Sequence, residues 1–417
     1  METLKDNTMK NLLPILLILP FVFLGSCKKD DPIPNHTPKQ IDLTAKSVEL
    51  ISNSNDFGIE LFTKTAVEEN KNLMLSPLSA STALTMLLNG CAGETYSQLK
   101  STLKYPGDIS IVEVNEAYKS LVGQLLQADP KVKLALANAI FYRNEFSVKP
   151  SFLSTMATNF DAHTQSLDFG SPSALTTINK WASDNTFGKI PRVLDGISGN
   201  AVMFLMNALY FKGDWSYQFD KSLTDDRPFF FDNGTTANVP TMQGEVGARV
   251  AYGNSYKAIE LPYGRTNFTM VLIVPNETLQ DFNTDFTGEV WQSITSSLDS
   301  YSDFGTAEVY MPKFKFSYEK VLNDQLKSMG MTDAFDELLA DLSGIADASI
   351  FVSFVKQNTF VDVNEEGTEA AAVTIIGVEL TSTPGPVIFR VDKPFVFAIR
   401  ERTTNTLMFI GQVADPR

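Results

Sequence analysis

Histidine is nearly absent: the 417 residues contain two. His36 lies in a proline-containing N-terminal stretch, which leaves His163 for the body of the chain. A Ser-His-Asp triad would have to use that one residue, and a metal site built from several histidines is excluded. Cysteine is equally scarce, with Cys27 and Cys91 alone, so neither a disulfide scaffold nor a Cys-rich zinc module is available. Basic residues are outnumbered, 34 Lys and Arg against 49 Asp and Glu, and the net charge of −15 offers no general footprint for nucleic acid. No apolar run reaches the roughly 20 residues that a membrane-spanning helix needs. A P-loop, a dinucleotide-binding glycine fingerprint, a Gly-x-Ser-x-Gly elbow and a His-Glu-x-x-His helix are all missing. Carboxylates are plentiful enough for a glycosidase pair, but no spacing singles one out, and the adjacent Glu365-Glu366 reads as a solvated turn. What is present is a hydrophobic fraction of 43% with 11% aromatics, ample for a packed core in one large fold or in two to three domains.

The first segment reads as an address. Residues 12–24 are apolar apart from Pro14 and Pro20, are preceded by Lys10 and are followed by small residues. This is the layout of a secretory signal peptide. Translation from Met9 would give a cleaner basic start than Met1, because Glu2 and Asp6 fall between them. The run closes on Leu24-Gly25-Ser26-Cys27, which resembles the lipobox of bacterial lipoproteins, with Cys27 as the lipidated first residue. The following Lys28-Lys29-Asp30-Asp31 resembles a surface-export tag of Bacteroidetes lipoproteins. On this reading residues 1–26 are removed, Cys91 is left without a disulfide partner, and residues 27–40, with Pro32, Pro34 and Pro38, form a tether without structure. The location expected is the outer membrane facing the cell surface, with contact to the membrane through the lipid alone.

Residues 41–417 contain no internal repeat and no long low-complexity segment. Ser76-Pro77 followed by residues 79–88 predicts a buried helix. Residues 138–142, 201–211, 268–275 and 307–312 predict strands, being short, β-branched or aromatic, and bounded by turn residues. Residues 318–329 have helical spacing and end at Gly330, a candidate C-cap. Strands and helices mix without regular alternation, which points to an α+β fold.

The C-terminal region is the informative part. Val361-Asp362-Val363 alternates as a strand does, and Glu365-Glu366-Gly367-Thr368-Glu369-Ala370-Ala371-Ala372 follows with small side chains. Then come the β-branched residues 373–376 and a Pro-Gly-Pro loop at 384–386. By local pattern alone, one long helix or strand followed by a turn is an equal reading. The octet 365–372, however, resembles the hinge of serpin reactive-centre loops, and residues 389–399 (FRVDKPFVFAI) resemble the serpin C-terminal signature. Further blocks occur in the family's order at residues 72–79, 178–190, 207–215, 260–263, 311–314 and 340–345, so the resemblance spans about 48–416. It implies the serpin fold, with three β-sheets, eight or nine helices and an exposed reactive loop at about 365–386. It also implies a monomer that has no cofactor, metal or catalytic residue of its own and acts on proteases.

The implied mechanism makes physical demands that the residues meet. A protease cuts the loop and is trapped as the acyl-enzyme while the cut loop enters the central sheet as a new strand. Such a segment must start small, alternate, and hold neither proline nor a buried charge. With Thr368 as the first inward residue, the inward set is Thr368, Ala370, Ala372, Thr374, Ile376, Val378 and Leu380, while Glu369 and Glu379 fall outward. Proline is absent between Thr368 and Ser382. An inserted strand gains on the order of 20 backbone hydrogen bonds at roughly 1 kcal/mol each, against the roughly 5–15 kcal/mol that holds a protease folded.

The family's cut usually falls fourteen positions after the hinge glycine, which gives Thr381-Ser382; counting back from Pro394 allows Leu380-Thr381. Leu380 would suit chymotrypsin-like or papain-like enzymes and Thr381 elastase-like ones. Trypsin-like enzymes are poor candidates, since no Lys or Arg occurs in residues 368–388. The resemblance assigns control of sheet opening to Ser76, Ser79, Asn207, Trp215 and a Glu365–Lys313 ion pair. Its usual histidine is replaced by Gln357, whose amide can both donate and accept. The alternative reading is a non-inhibitory binding or structural surface protein on the same scaffold.

Overall fold

A computed structural model describes residues 37–369 and 387–417; the signal segment with Cys27, most of the tether, Ala370–Ala372 and both candidate bonds lie outside these. Among the described residues there are nine α-helices: α1 (Ala45–Glu68), α2 (Pro77–Leu88), α3 (Gly93–Thr102), α4 (Ile111–Leu125), α5 (Pro150–Phe160), α6 (Pro172–Asn185), α7 (Leu279–Asp285), α8 (Gly288–Asp299) and α9 (Asn323–Ser328). The strands are β1 (Leu73–Leu75), β2 (Val132–Arg143), β3 (His163–Leu167), β4 (Met203–Asp214), β5 (Asp225–Phe230), β6 (Thr236–Tyr252), β7 (Tyr256–Pro262), β8 (Phe268–Pro275), β9 (Gly305–Pro312), β10 (Phe314–Val321), β11 (Lys356–Asn364), β12 (Gly367–Thr368), β13 (Val387–Arg390), β14 (Phe395–Glu401) and β15 (Thr406–Val413).

Helix starts follow local chemistry. Ser76, Ser110 and Ser171 each cap a helix through the side-chain oxygen, and Pro77, Pro150 and Pro172 occupy first helical positions, where the missing N–H costs no hydrogen bond. All of α2 except Ala83 is buried, as its mixture of apolar and small residues predicts. Residues 318–329 depart from the expected helix. Tyr318 to Val321 extend β10 and pair with Thr359 to Lys356 of β11, and the helix begins at Asn323. Cross-strand pairing overrides the local spacing there, while Gly330, at φ +105°, does end the helix.

The strands form two hydrogen-bonded networks. The first runs β1-β15-β14-β8-β7-β6-β9-β13, with β5 on β6; the second runs β10-β11-β12-β4-β2-β3. The 17-residue β6 explains why three expected sheets become two networks: residues 241–248 pair with β9 and 249–252 with β7, so one strand serves two sheet segments. Every residue of β8, β14 and β15 is buried, forming the deepest layer, and α2 lies between that layer and the six-stranded sheet. The fold also begins earlier than residue 41. The backbone N–H and C=O of Lys39 both bond the Asn267 side chain, each at 2.8 Å, so the expected tether is already anchored at its end.

Candidate functional site

β11 alternates strictly: Gln357, Thr359, Val361 and Val363 are buried and their neighbours are half-buried. After Asn364 the chain turns through Glu365-Glu366 and returns as β12, two residues long, antiparallel to both β11 and β4. Gly367 pairs with Asn364 and Asp214, and Thr368 with Val363 and Gly213. Glycine is required at this wedge. A Cβ at 367 would lie 2.2 Å from the Gly213 carbonyl oxygen, and φ is +153°. Thr368 points inward at 3% exposure, and its hydroxyl lies 2.6 Å from that of Tyr263. Tyr263 stacks on Trp215 with ring centroids 4.4 Å apart. Trp215 in turn holds the turn: its Nε1–H donates to Asn364 O and its backbone N–H to Glu366 O, both at 2.9 Å.

Three carboxylates surround the wedge. Glu365 meets Lys313 at 3.1 Å and accepts the Thr224 hydroxyl at 2.7 Å. Burial alone would raise its pKa, but a backbone N–H, Thr224 and Lys313 outweigh that and hold it below the ordinary value. Glu366 pairs with Lys221. Glu369 faces the opposite side from Thr368, yet its side chain is only 4% exposed, 3.5 Å from Lys189. Burial raises its pKa, against a Tyr210 hydrogen bond and Lys189, which lower it. Its φ of +59° breaks the strand after β12.

The two shifts act in opposite directions on stability. Glu365, with its folded pKa depressed, stabilises fully above the ordinary value of 4.5, and that contribution is lost as pH falls through the folded pKa. Glu369, with its folded pKa raised, favours the hinge position fully below 4.5 and loses that contribution as pH rises through its folded pKa. The expected result is that Glu365→Gln removes part of the acid-side loss of thermal stability. A variant with the wild-type profile below pH 4.5 would show that Glu365 does not titrate as argued.

Beyond β12, β4 and β11 form no pairing with each other among the described residues. Between them lies a cavity of about 500 Å³, walled by residues 205–209 and 355–359 and floored by Ala80, Leu84 and Leu87 of α2. Among the described residues the arrangement is a sheet with a vacant strand position, entered at one end by two residues of the chain that leads into the alternating segment 370–380.

A family model described as Serpin (serine protease inhibitor) matches residues 52–416. The chain belongs to the serpin family. It is 33% identical over 377 residues to a leukocyte elastase inhibitor of Xenopus laevis, covering 86% of this chain and 97% of that one. Among solved structures it is similar to a thermophilic serpin, tengpin, in the native state, with a TM-score of 0.79, 31% identity and coverage of 90% and 96%. It is also similar to a thyroxine-binding globulin complexed with thyroxine, with a TM-score of 0.78, 27% identity and coverage of 88% and 99%.

Within this serpin the expected sheet-opening residues divide. Gln357 Oε1 accepts the Ser76 N–H at 3.1 Å and Nε2 donates to Ser76 O at 2.8 Å. The Ser76 hydroxyl donates to Met408 O at 2.8 Å and accepts the Ser79 N–H at 3.2 Å. Asn207 does not join this group. It belongs to β4, across the cavity, and its Nδ2 donates to Asn138 Oδ1 at 2.6 Å. The vacant strand position separates residues that the resemblance implied would act as one cluster. Tyr263, Tyr210, Lys189, Thr224 and Asn138 complete the site without having been singled out as site residues. Asn138 and Asn207 were legible as polar interruptions in otherwise apolar strands. Cys91 bonds Leu87 O through its thiol at 3.3 Å, and burial, aided by Asp341, pushes its pKa up to about 12, so it is a weak nucleophile.

Proposed function

We propose that this serpin is a suicide inhibitor of serine endopeptidases, with papain-like cysteine proteases as further targets, anchored to a bacterial surface through lipidated Cys27. The observation that carries the reading is the two-residue β12 wedged between β4 and β11, two strands that beyond it are unpaired with each other among the described residues and flank a cavity. The continuation of the chain supports it, because the inward positions from 370 to 380 are all small or apolar. The reactive bond proposed is Thr381-Ser382, with Leu380-Thr381 as the neighbouring choice. The elastase-inhibitor relative supports elastase-like targets.

The expected result is a complex with an elastase-like, chymotrypsin-like or papain-like enzyme that survives denaturing electrophoresis, because the acyl bond is covalent. Mass spectrometry of the small C-terminal fragment gives the bond. A panel that yields only cleaved chain would sink inhibition and favour a binding role on the same scaffold. The anchor is read in the same expression host: Cys27→Ala should move the protein from the membrane pellet to the soluble fraction, and unchanged fractionation would refute lipidation.

A further inference from the structure

β13 is an end strand: it pairs with β9, and no strand lies on its other edge among the described residues. Its side chains alternate. Phe389 packs inward at 1% exposure, while Ile388, 55% exposed, and Arg390, also exposed, share the opposite face. The register carries that outer face across the sheet. Ile388 pairs with Glu308 of β9, and Arg390 with Tyr310, which in turn pairs with Gln243 of β6.

The guanidinium of Arg390 lies 3.9 Å from the centroid of the Tyr310 ring, and that of Arg227 on β5 approaches the same ring at 4.9 Å. The carboxylate two residues along β9 is committed elsewhere. Glu308 Oε1 accepts the Tyr310 hydroxyl at 2.5 Å and Gln243 Nε2 at 3.0 Å. Gln243 Oε1 accepts Arg227 Nη2 at 2.6 Å, and Glu245 lies two strands away on β6. Arg390 is therefore held by the ring and makes no ion pair among the described residues. A guanidinium stacked on an aromatic face keeps its N–H fork free at the edge, and a fork already fixed loses little freedom when it takes a planar carboxylate. An exposed isoleucine needs no explanation by itself, but here it stands two residues from that fork on one face.

Chain length names what can cover this face. The proposed bond Thr381-Ser382 is followed at residue 387 by β13, and the five residues between span at most about 18 Å. A folded protease of about 230 residues is roughly 45 Å across. A protease held at that bond is broad enough to reach β13.

Resting on the inhibition reading above, we propose that Ile388 and Arg390 form a second contact for the target protease, outside its substrate cleft. Ile388 supplies an apolar anchor, and the Arg390 fork, set by Tyr310, takes a carboxylate on the protease surface. The contact adds a selectivity that the loop does not carry. Among enzymes that accept Leu380 or Thr381, those with an acidic residue at this place are trapped faster. Neither Ile388 nor Arg390 touches the reacting bond or belongs to the inserting segment.

The test uses the full chain and the enzyme of the panel that forms the complex fastest. It measures the second-order rate constant of complex formation at low and high salt, the stoichiometry, and the Kd for the same enzyme with its nucleophile replaced by alanine, which docks without acylation. Arg390→Ala should lower the rate constant and weaken the Kd about tenfold at low salt, and the difference should shrink at high salt. Arg390→Lys should recover only part of the loss, because an ammonium lacks the fork. Ile388→Ser should weaken both quantities at either salt. Stoichiometry and the unfolding midpoint of the uncut chain should stay at wild-type values in all three. A wild-type rate constant in Arg390→Ala, full recovery by Arg390→Lys, a loss that ignores salt, or a lowered midpoint accompanying the loss would each overturn the proposal. A wild-type chain that traps no protease would instead overturn the inhibition reading on which it rests.

Discussion

Thr368→Arg is expected to convert this serpin from an inhibitor into a substrate. Thr368 is the first residue seated inside the sheet, 3% exposed, between Gly213 and Val363, with its hydroxyl on Tyr263. Tyr263 is fully buried and stacked on Trp215, so it cannot step aside without opening the aromatic layer. A guanidinium at 368 would have no acidic partner on the inward face, since Glu369 lies on the other side and Glu365 is engaged by Lys313 and Thr224. Burying an uncompensated charge costs about 3–5 kcal/mol. The uncut variant therefore keeps residue 368 outside the sheet, its entry becomes part of the insertion step, and the penalty slows that step by on the order of 10²–10⁴, while deacylation by the protease continues at its own rate. The measurement is a titration of protease activity against inhibitor, read with a denaturing gel. The moles of inhibitor consumed per mole of protease should rise steeply, the complex band should disappear and cleaved chain should accumulate. An unchanged stoichiometry would rule out entry of the strand at Thr368.

Arg400→Met is expected to destabilise the uncut protein by about 3–5 kcal/mol. Arg400 and Glu260 are each 0% exposed. Arg400 donates Nε and Nη2 to Glu260 Oε1 at 3.0 and 2.7 Å, and Nη1 and Nη2 to Asp299 at 3.0 and 2.7 Å. Desolvation alone would lower the Arg400 pKa, but Glu260 and Asp299 more than offset this and raise it, so the guanidinium stays charged. The pair links β14 to β7 and, through Asp299, to the end of α8. Removing one member of a buried pair leaves the other unpaired at a cost of about 3–5 kcal/mol. Arg249, 3.5 Å from both Glu260 and Asp299, is the nearest replacement cation, but this separation is longer than the bonds lost. Thermal unfolding of the uncut chain checks the expectation, and a near-wild-type midpoint would show that Arg249 takes over the role.

Much of the fold was legible where the determinants are local. Helix α2 follows from a serine cap, a proline in the first turn and a run of small and apolar residues. The β4, β8 and β9 strands follow from β-branched and aromatic runs bounded by turns. The error at residues 318–329 has the complementary cause. Tyr318 to Val321 carry helical spacing, but β11 offers a ladder of backbone partners to them, and that partner is about 40 residues away in sequence. Site residues divide in the same manner. The hinge was readable because its small side chains and their alternation belong to a continuous segment, whereas the carbonyl that crowds Gly367 is that of Gly213 on β4 and was not. Asn207 was singled out through the family resemblance, but its partner Asn138 was not.

From its residues alone this chain determined that a metal site built from several histidines is excluded, that its N-terminal run is too short to span a bilayer, and that residues 368–380 can alternate without proline or inward charge. Those properties depend on composition and on the two-residue period of a strand, which need no knowledge of neighbours. Tertiary structure alone decided that Glu369 is buried against Lys189 and Tyr210, that Ser76 engages both ends of Gln357, that Asn207 faces the cavity with a free acceptor, and that Arg400 meets Glu260. The Lys189–Glu369, Ser76–Gln357 and Glu260–Arg400 contacts join residues more than 100 positions apart. Burial and partner choice at such separations are settled by which strands pair and where a strand position is left vacant. A local window of sequence carries no information about either.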